Sequence, residues 1–205
     1  MSWWLVIAAL IAAALAYGYW DHSQRSRRLA KLFADLAAKH GGEVTRASLV
    51  ALPQLHFEAA GRRVLVTAMA TSGMPGRGNG PFMVVKLELP VDTEQKVRIE
   101  RSDADLTGGA NRLIDAVTPG NRPTTGDETF DEAFRFEWSD PAFASRLLDA
   151  SVRRTLLNAP LAHLDVRLEG PTISAHSDGI ATSTAEIEAL IDIAVLWDER
   201  CEAGA

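Results

Sequence analysis

The first 20 residues constrain this chain more than any other stretch, because they decide which solvent surrounds the rest. From Trp3 to Trp20 there is no charged residue. At a helical rise of about 1.5 Å per residue this stretch extends roughly 27 Å, close to the thickness of a bilayer core. Aromatic residues mark both ends, as is typical of a spanning helix whose rings lie at the headgroup level: Trp3, Trp4, Tyr17, Tyr19 and Trp20. The sequence therefore predicts a transmembrane anchor over residues 1–20.

A cleaved signal peptide is the alternative for this stretch, since Ala14-Leu15-Ala16 has the small-x-small form that signal peptidases accept. Against cleavage, no Lys or Arg precedes the apolar run, and the run continues to Trp20. Basic residues follow the run instead, and such residues stay on the cytoplasmic side: Arg25, Arg27, Arg28 and Lys31. We predict an uncleaved single-pass anchor in the inner (cytoplasmic) membrane, with residues 21–205 in the cytoplasm and these basic residues in contact with lipid headgroups.

Composition limits the partners and the compartment. The chain has a net charge of −6, which argues against a nucleic acid partner, because a phosphate backbone is bound by clustered Lys and Arg. Cys201 is the one cysteine, so an internal disulfide is excluded and an oxidising compartment is not implied. The length that follows the anchor suits one domain, which we place at residues 43–201, with a short tail at 202–205.

Residues 21–42 predict an amphipathic helix that continues from the anchor. An apolar stripe with spacing i, i+3, i+4 and i+7 runs along it: Leu29, Leu32, Phe33 and Leu36. Gly41-Gly42 is expected to end the helix, since glycine accepts the left-handed conformation that helix C-termini often need. The stripe either packs on the chain's own domain or mediates dimerisation, and we favour the first.

The rest of the chain alternates between strand and helix patterns. Alternating apolar and polar residues predict strands at 55–58, 64–69, 82–89, 97–99, 134–138, 164–168 and 172–175. Helices are predicted to begin at Asp140-Pro141, near residue 150, and at Ser183, where Ser183 and Glu186 form a capping box. Short loops between strands favour antiparallel pairing. The predicted fold class is α+β: a single transmembrane helix, then an antiparallel sheet of about six or seven strands with helices packed mainly on one face.

A glycine-rich segment over residues 71–80 has Gly76, Arg77 and Gly78 at its centre. Backbone amides of such a loop can cradle a phosphate, and Arg77 would add charge. A phosphate-binding P-loop, however, needs Lys followed by Ser or Thr and then a helix. Here Lys is missing and a strand follows, so we interpret the segment as a hairpin loop and keep these residues as an alternative loop site.

The histidines show no ligand spacing typical of a metal site on a helix. A metal held between distant strands would have to combine His56 with His163 or His176. Ser177-Asp178 beside His176 raises the alternative of nucleophile chemistry, but a triad is recognised by geometry, and polar neighbours are common at the end of a hairpin. No metal and no cofactor is predicted.

Other polar residues have structural explanations. Asp131 and Asp140 are a carboxylate pair in principle, but turn and capping roles explain them better. Cys201 has no second cysteine with which to form a redox pair. Arg153-Arg154 on a helix is typical of a solvated face. The sequence therefore predicts no catalytic residue.

The second half resembles a group of uncharacterised bacterial proteins that also begin with a membrane segment, a family defined by a domain of unknown function. The similar residues form the run Phe130-Asp131-x-x-Phe134-x-Phe136-x-x-x-Asp140-Pro141-x-x-Ala144-x-x-Leu147-Leu148, followed by a hairpin and a terminal amphipathic helix. The chain departs from the group at Phe136, where valine is usual, and at Asp149-Ala150, where Thr-Pro is common. The resemblance implies an architecture and supplies no activity, so no functional residue is carried over.

Together these features favour a non-catalytic interaction or scaffold domain, held at the membrane to assemble with an unidentified protein partner. The alternative is a binding module for a lipid or a small ligand, in which Phe134, Phe136 and Trp138 line a pocket between sheet and helices. A cleft of about 300 Å³ or more would favour this alternative. An unrecognised enzyme is the third hypothesis.

Overall fold

A computed structural model describes residues 3–46, 48, 51–70, 81–90, 93–101, 123–161 and 163–203. Within these residues the chain forms the following elements, in order: α1 (Trp3–His40), β1 (Glu43–Thr45), β2 (Gln54–Ala59), β3 (Arg62–Ala70), β4 (Pro81–Glu88), β5 (Lys96–Arg101), α2 (Glu128–Ala133), β6 (Phe134–Trp138), α3 (Pro141–Leu147), α4 (Ala150–Asn158), β7 (Leu164–Glu169), β8 (Thr172–Asp178) and α5 (Thr184–Ala203). The predicted loop site at Gly76, Arg77 and Gly78 lies outside the described residues.

One sheet of eight strands has the order β1-β2-β3-β4-β8-β7-β5-β6, and every pairing in it is antiparallel. The α+β class and the antiparallel sheet are confirmed. The sheet has more strands than predicted, because the three-residue strand β1 is too short to give an alternation that can be read from sequence. The hairpin β7–β8 lies between β4 and β5, an arrangement that local patterns do not indicate.

The core lies on one face of the sheet, where the helices pack. Alternate residues of each strand point to this face, for example Val64 and Val66 of β3, which are at most 2 % exposed. The helices α1 and α5 cover it, with α5 over β4 and β8 and α1 over β2. Three side chains of α1 belong to this core and are buried: Leu29, Phe33 and Leu36. The prediction that the stripe packs on the chain's own domain is confirmed.

The helix α1 is continuous over 38 residues, which corresponds to a length of about 57 Å. The predicted anchor and the predicted juxtamembrane helix are therefore parts of one helix, without a break between them. It ends as expected, since Gly41 has φ 73°, and the N–H groups of Gly41 and Gly42 both donate to the Ala37 carbonyl, at 2.8 and 3.1 Å. The sheet domain is thus attached directly to the apolar segment.

The helix starts that the sequence predicts are present. Asp140 accepts the N–H of Ala142 at 2.8 Å and Pro141 opens α3, while Asp149 caps α4. At α5 the Ser183 hydroxyl accepts the Glu186 N–H at 3.4 Å. In a capping box the Glu186 carboxylate is expected in return to accept the N–H of Ser183, but it does not do so here. The Glu186 carboxylate instead accepts the N–H of Thr182 at 3.1 Å, one residue before the cap.

Two boundaries also differ from the sequence prediction. The turn after β2 is Ala60-Gly61, both with positive φ, so Arg62 already belongs to β3. The last helix runs to Ala203, so Glu202, placed in a tail by the sequence prediction, lies in a helix.

Candidate site at the membrane-proximal end

The first half of α1 is exposed and apolar. Its most apolar window has a mean hydropathy of 1.6 and none of it is buried. The aromatic residues at both of its ends are exposed, Trp3 by 71 % and Trp20 by 57 %. Among the described helices this is the one long and apolar enough to cross a membrane. An apolar surface of this extent on a protein in water would be unusual, whereas in a bilayer it is expected.

The second half of α1 changes from lipid-like exposure to protein contact within about one turn. Asp21 and Arg25 form an ion pair at 2.8 Å, and the Nε2–H of His22 donates to the Ser48 carbonyl at 3.2 Å. From Ser26 onward one face of the helix is buried against the sheet domain. The helix therefore leaves the predicted bilayer and meets the domain at almost the same level.

A cavity of about 690 Å³ lies at this junction. Its walls are α1, the first residue of β4, and the segment of residues 180–182 that precedes α5. Three cationic side chains line it, namely Arg25, Arg28 and Lys31, together with the carboxylate of Asp35. Three of the four predicted headgroup-contact residues thus face one cavity.

Most of the α1 residues that line the cavity lie on one side of the helix. Arg25, Arg28, Leu32 and Asp35 follow the spacing i, i+3, i+7 and i+10 and so share one side of α1. Arg27, the fourth predicted residue, is exposed but does not line the cavity. At about 100° per residue it lies roughly 100° around the helix from Arg28 and about 40° beyond Lys31, which is at the edge of the lining.

The lining is electropositive. Among the described residues, no carboxylate forms an ion pair with Arg28 or Lys31, whereas Arg25 shares its charge with Asp21. Farther along the same side of α1, Lys39 pairs with Glu188 of α5 at 2.7 Å. This pair links α1 to α5, and the cavity lies between α1 and the residues that precede α5.

The aromatic residues proposed to line a ligand pocket do not do so. Phe134 and Phe136 of β6 are buried in the core, and they stack with Phe130 at centroid distances of 4.7 and 5.6 Å. Trp138 continues the stack on Phe136 at 5.6 Å. That part of the ligand hypothesis is wrong, because the ring-to-ring contacts fill the space between β6 and α2.

The histidines are dispersed. His56 is exposed on β2, and His176 on β8 stacks on Phe82 at 5.7 Å. Since β3 and β4 lie between these two strands, β2 and β8 are about 14 Å apart at the usual strand spacing, too far for His56 and His176 to share a metal ion. His163 Nδ1 lies 3.6 Å from Asp178 Oδ2. Among the described residues, no three His, Cys, Asp or Glu side chains gather as a metal site would require.

The other polar residues named from the sequence have local partners. Asp131 accepts the N–H of Thr125 at 2.9 Å, and Asp140 caps α3, so the turn and capping roles are confirmed. Ser177 and Asp178 are the last residues of β8 and lie at the open end of the β7–β8 hairpin, where Ser177 is opposite Leu164; β8 extends beyond the predicted residue 175 and pairs with β4 there.

Arg153 also differs from its prediction as a solvated residue. Its guanidinium donates to the Leu148 carbonyl at 3.0 Å and pairs with Asp127 at 3.2 Å. Cys201 is a partly buried thiol. Burial, and then the nearby Asp198 carboxylate, raise its pKa to about 11, so the thiolate that redox chemistry needs is disfavoured.

No known protein family and no curated protein matches the sequence. The fold matches a solved structure, that of the mycobacterial trehalose monomycolate transport factor A, TtfA. The similarity covers 86 % of this chain and 93 % of TtfA, with a TM-score of 0.55 and 12 % sequence identity. At this identity the likeness establishes the fold alone.

Sequence reasoning did not find two charged arrangements. The cavity combines Arg28 of α1 with Ile180 near α5, and no local pattern links such distant positions. Asp165 of β7 is 1 % exposed and pairs with Arg167 at 2.6 Å, which raises the pKa of that guanidinium. Arg98 of β5 contacts the same carboxylate at 3.4 Å. The signal for this cluster was the charged side of the β7 alternation, which is typical of a solvated face.

Proposed function

We propose that this chain is a non-catalytic interaction domain, held at the cytoplasmic side of the inner membrane by a single-pass anchor, and that it assembles there with another protein. The observation that carries the proposal is the continuity of α1. One helix of 38 residues has an exposed apolar half and a half that belongs to the core of the sheet domain. The anchor and the domain therefore move as one body.

Such a connection has a mechanical consequence. A flexible linker would let the domain sample many heights and orientations, whereas the buried side chains Leu29, Phe33 and Leu36 fix it against the helix. Burial of this kind contributes about 1.5–3 kcal/mol for each such side chain. The domain presents the same surface at the same distance from the bilayer, which is what a scaffold for a membrane complex requires.

The fold likeness supports an accessory role. TtfA is described as a transport factor, and we extend to this chain the role of an accessory factor in a membrane transport assembly. The local partners of Asp131, Asp140 and Arg153 support a non-catalytic domain, since each side chain stabilises a turn, a cap or an ion pair. Membership of the uncharacterised bacterial group remains a prediction.

Native mass spectrometry of the full-length chain, extracted from its own membranes in mild detergent, tests the proposal. We expect a second polypeptide to co-purify in a defined stoichiometry. The matched controls are insertions after Ser23 of four alanines, which keep the helix continuous, and of four glycines, which interrupt it. The glycine insertion should weaken the complex more than the alanine insertion does. A monomer without any bound polypeptide would contradict the scaffold role.

Orientation is tested separately with a Glu169→Cys variant in a Cys201→Ser background. Glu169 is exposed at the end of β7, so a thiol there should react readily once reagent reaches it. A membrane-impermeant maleimide should label it only after the inner membrane is disrupted. Labelling in cells with an intact inner membrane would place the domain on the other side.

A second candidate function, binding of a lipid or a small ligand, is favoured by one observation. The cavity beside α1 has a volume of about 690 Å³, above the size of about 300 Å³ expected of a ligand site. It lies elsewhere than the aromatic residues first proposed for such a site.

A further inference from the structure

We propose that the cavity bounded by α1 and residues 180–182 binds one phosphate-bearing, anionic lipid headgroup from the leaflet that α1 enters. Arg28 and Lys31 would hold the phosphate of a lipid that is lifted partly out of the leaflet, so that its glycerol and upper acyl chain lie against the apolar residues Pro81, Ile180 and Ala181. This inference rests on the membrane anchoring in the proposed function and deepens it by naming a ligand class. The shared chemistry is a phosphate group, which a soluble phosphate compound also carries.

The distance of the cavity from the bilayer follows from the rise of α1 along its axis. Arg25, Arg28 and Lys31 follow Trp20, the last aromatic residue of the apolar segment, by about 7, 12 and 16 Å along the helix axis. The headgroup layer on each side of a bilayer is about 5–7 Å thick. Arg25 is therefore at the outer edge of the headgroups, and the cavity begins there and extends away from the bilayer.

The direction of the basic side chains follows from the geometry of an α-helix. In an α-helix every Cα–Cβ bond tilts toward the N-terminus, and the N-terminal half of α1 is the predicted membrane segment. Arg28 and Lys31 are exposed, so their long side chains can extend toward the bilayer and place their charges near the headgroups. The same tilt would point them away from the membrane if the anchor were C-terminal.

The charge of the cavity lining favours an anionic ligand. Arg28 and Lys31 form no ion pair within the described part of the chain, so their charges are available to a ligand. Arg presents a planar fork that matches phosphate oxygens in pairs, and Lys adds a mobile point charge. The carboxylate of Asp35 also lines the cavity, and it opposes an anion there. The cavity thus carries an excess of positive charge with one internal counterweight.

The size and apolar lining of the cavity favour a ligand with an apolar part. Pro81, Ile180 and Ala181 form an apolar wall beside α1, and Leu32 of α1 adds to the apolar lining. A free phosphate ion would fill little of a cavity of about 690 Å³ and would gain nothing from this wall. A lipid has a phosphate joined to apolar chains, so it satisfies both sides of the cavity. This combination distinguishes a lipid from a soluble anion.

The test is native mass spectrometry of the full chain in mild detergent, with phosphatidylglycerol and phosphatidylcholine added in equal amounts. We expect one phosphatidylglycerol to be retained per chain in preference to phosphatidylcholine. Each basic residue near a membrane surface contributes about a fivefold factor in binding. The Arg28→Gln, Lys31→Gln double variant should therefore bind phosphatidylglycerol about thirtyfold more weakly.

Two further variants make the test specific. Arg27→Gln is the control for charge alone, because it removes one positive charge at nearly the same height from a residue that does not line the cavity. It should change binding by less than about twofold. Asp35→Asn removes the opposing carboxylate and should strengthen binding, about fivefold. All these positions are exposed, and unchanged thermal unfolding will confirm that the fold is intact. Equal losses for Arg27→Gln and the double variant would overturn the site.

The source of the phosphate is decided by competition with inorganic phosphate in large molar excess. We expect it to leave phosphatidylglycerol bound. Displacement from the wild-type chain would overturn the lipid assignment in favour of a soluble phosphate ligand. Failure of this site is distinguishable from failure of the scaffold role. If a polypeptide co-purifies but the chain shows no preference for phosphatidylglycerol, only the site is overturned. If phosphatidylglycerol is retained but no polypeptide co-purifies, only the scaffold role is overturned.

Discussion

The ion pair between Arg62 and Asp198 gives the sharpest test of how α5 is held on the sheet. Arg62 is the first residue of β3, and its Nε donates to Asp198 Oδ2 at 3.0 Å and Oδ1 at 3.3 Å. The side chain of Asp198 is 3 % exposed and that of Arg62 is 17 % exposed. Arg62 also contacts Glu202, which is 58 % exposed. We expect Arg62→Ala to destabilise the domain, because it leaves the buried Asp198 carboxylate without its cation.

The magnitude follows from burial. Removing one partner of a buried ion pair costs about 3–5 kcal/mol. Since Arg62 lies near the surface and water can reach the emptied space, we expect a value at the lower end, about 3 kcal/mol. The contact with the exposed Glu202 adds less than about 1 kcal/mol. Asp198→Asn removes the buried charge itself, so it should cost less than Arg62→Ala, about 1–2 kcal/mol.

Urea-dependent pulse proteolysis of the full chain in detergent micelles measures these free energies of unfolding, since the spanning half of α1 stays in the micelle. Arg63→Ala is the matched control: Arg63 is the exposed neighbour of Arg62 and should change stability by less than about 0.5 kcal/mol. The double variant Arg62→Ala, Asp198→Asn should show a coupling of about 1–3 kcal/mol between the two residues. If Arg62→Ala were no more destabilising than Arg63→Ala, the reasoning would be refuted.

Three further predictions concern single residues. The Val152 N–H, and then the charge of Arg200, hold the pKa of Asp149 below its usual value of 3.8. A carboxyl group whose pKa is lowered on folding stabilises the protein above its unfolded-state pKa, and this stabilisation is lost as the pH falls through the folded-state pKa. Asp149→Asn should therefore lower the melting temperature at pH 7 and have no effect in strong acid. An equal effect at both pH values would contradict this. The pKa of Cys201, raised from 9.0 to about 11, should make its alkylation at pH 8 about a hundredfold slower than in the urea-unfolded chain, and equal rates would show that the thiol is not buried. Gly42→Ala would place its Cβ 2.6 Å from the His56 carbonyl oxygen and should cost about 1–3 kcal/mol, whereas Gly18→Ala, with nothing within 4 Å, should leave chemical unfolding unchanged.

Local signals predicted the local structure well. The stripe of Leu29, Phe33 and Leu36 identified the buried side of α1, because a period of 3.6 residues reports directly which side is apolar. Asp140-Pro141 identified a helix start for the same kind of reason, since capping depends only on neighbouring backbone N–H groups. The alternation of apolar and polar residues located the longer strands and the antiparallel sheet.

The long-range arrangement could not be predicted in this way. The pairing of Val84 with His176 joins β4 to β8, and no turn residue or loop length encodes that neighbour. The cavity has the same origin, because Arg28 and Ile180 are brought together by packing of α1 and α5. The alternation in β6 placed Phe134 and Phe136 on one face, but the same pattern fits a packed core and a ligand pocket, and only their ring stacking distinguishes the two.

The strand order also determines when the sheet can be completed during synthesis. The spanning helix and strands β1 to β4 leave the ribosome first, yet the inner edge of β4 pairs in the finished sheet with β8, the last strand that the structure describes. The β5–β6 pair likewise joins the first four strands only through β7 and β8. An incomplete chain is thus tethered at the membrane with two open strand edges, which invite wrong pairing. A translational stop before residue 164 would leave these edges exposed on an anchored nascent chain, so the residues from 164 onward protect the strands made before them.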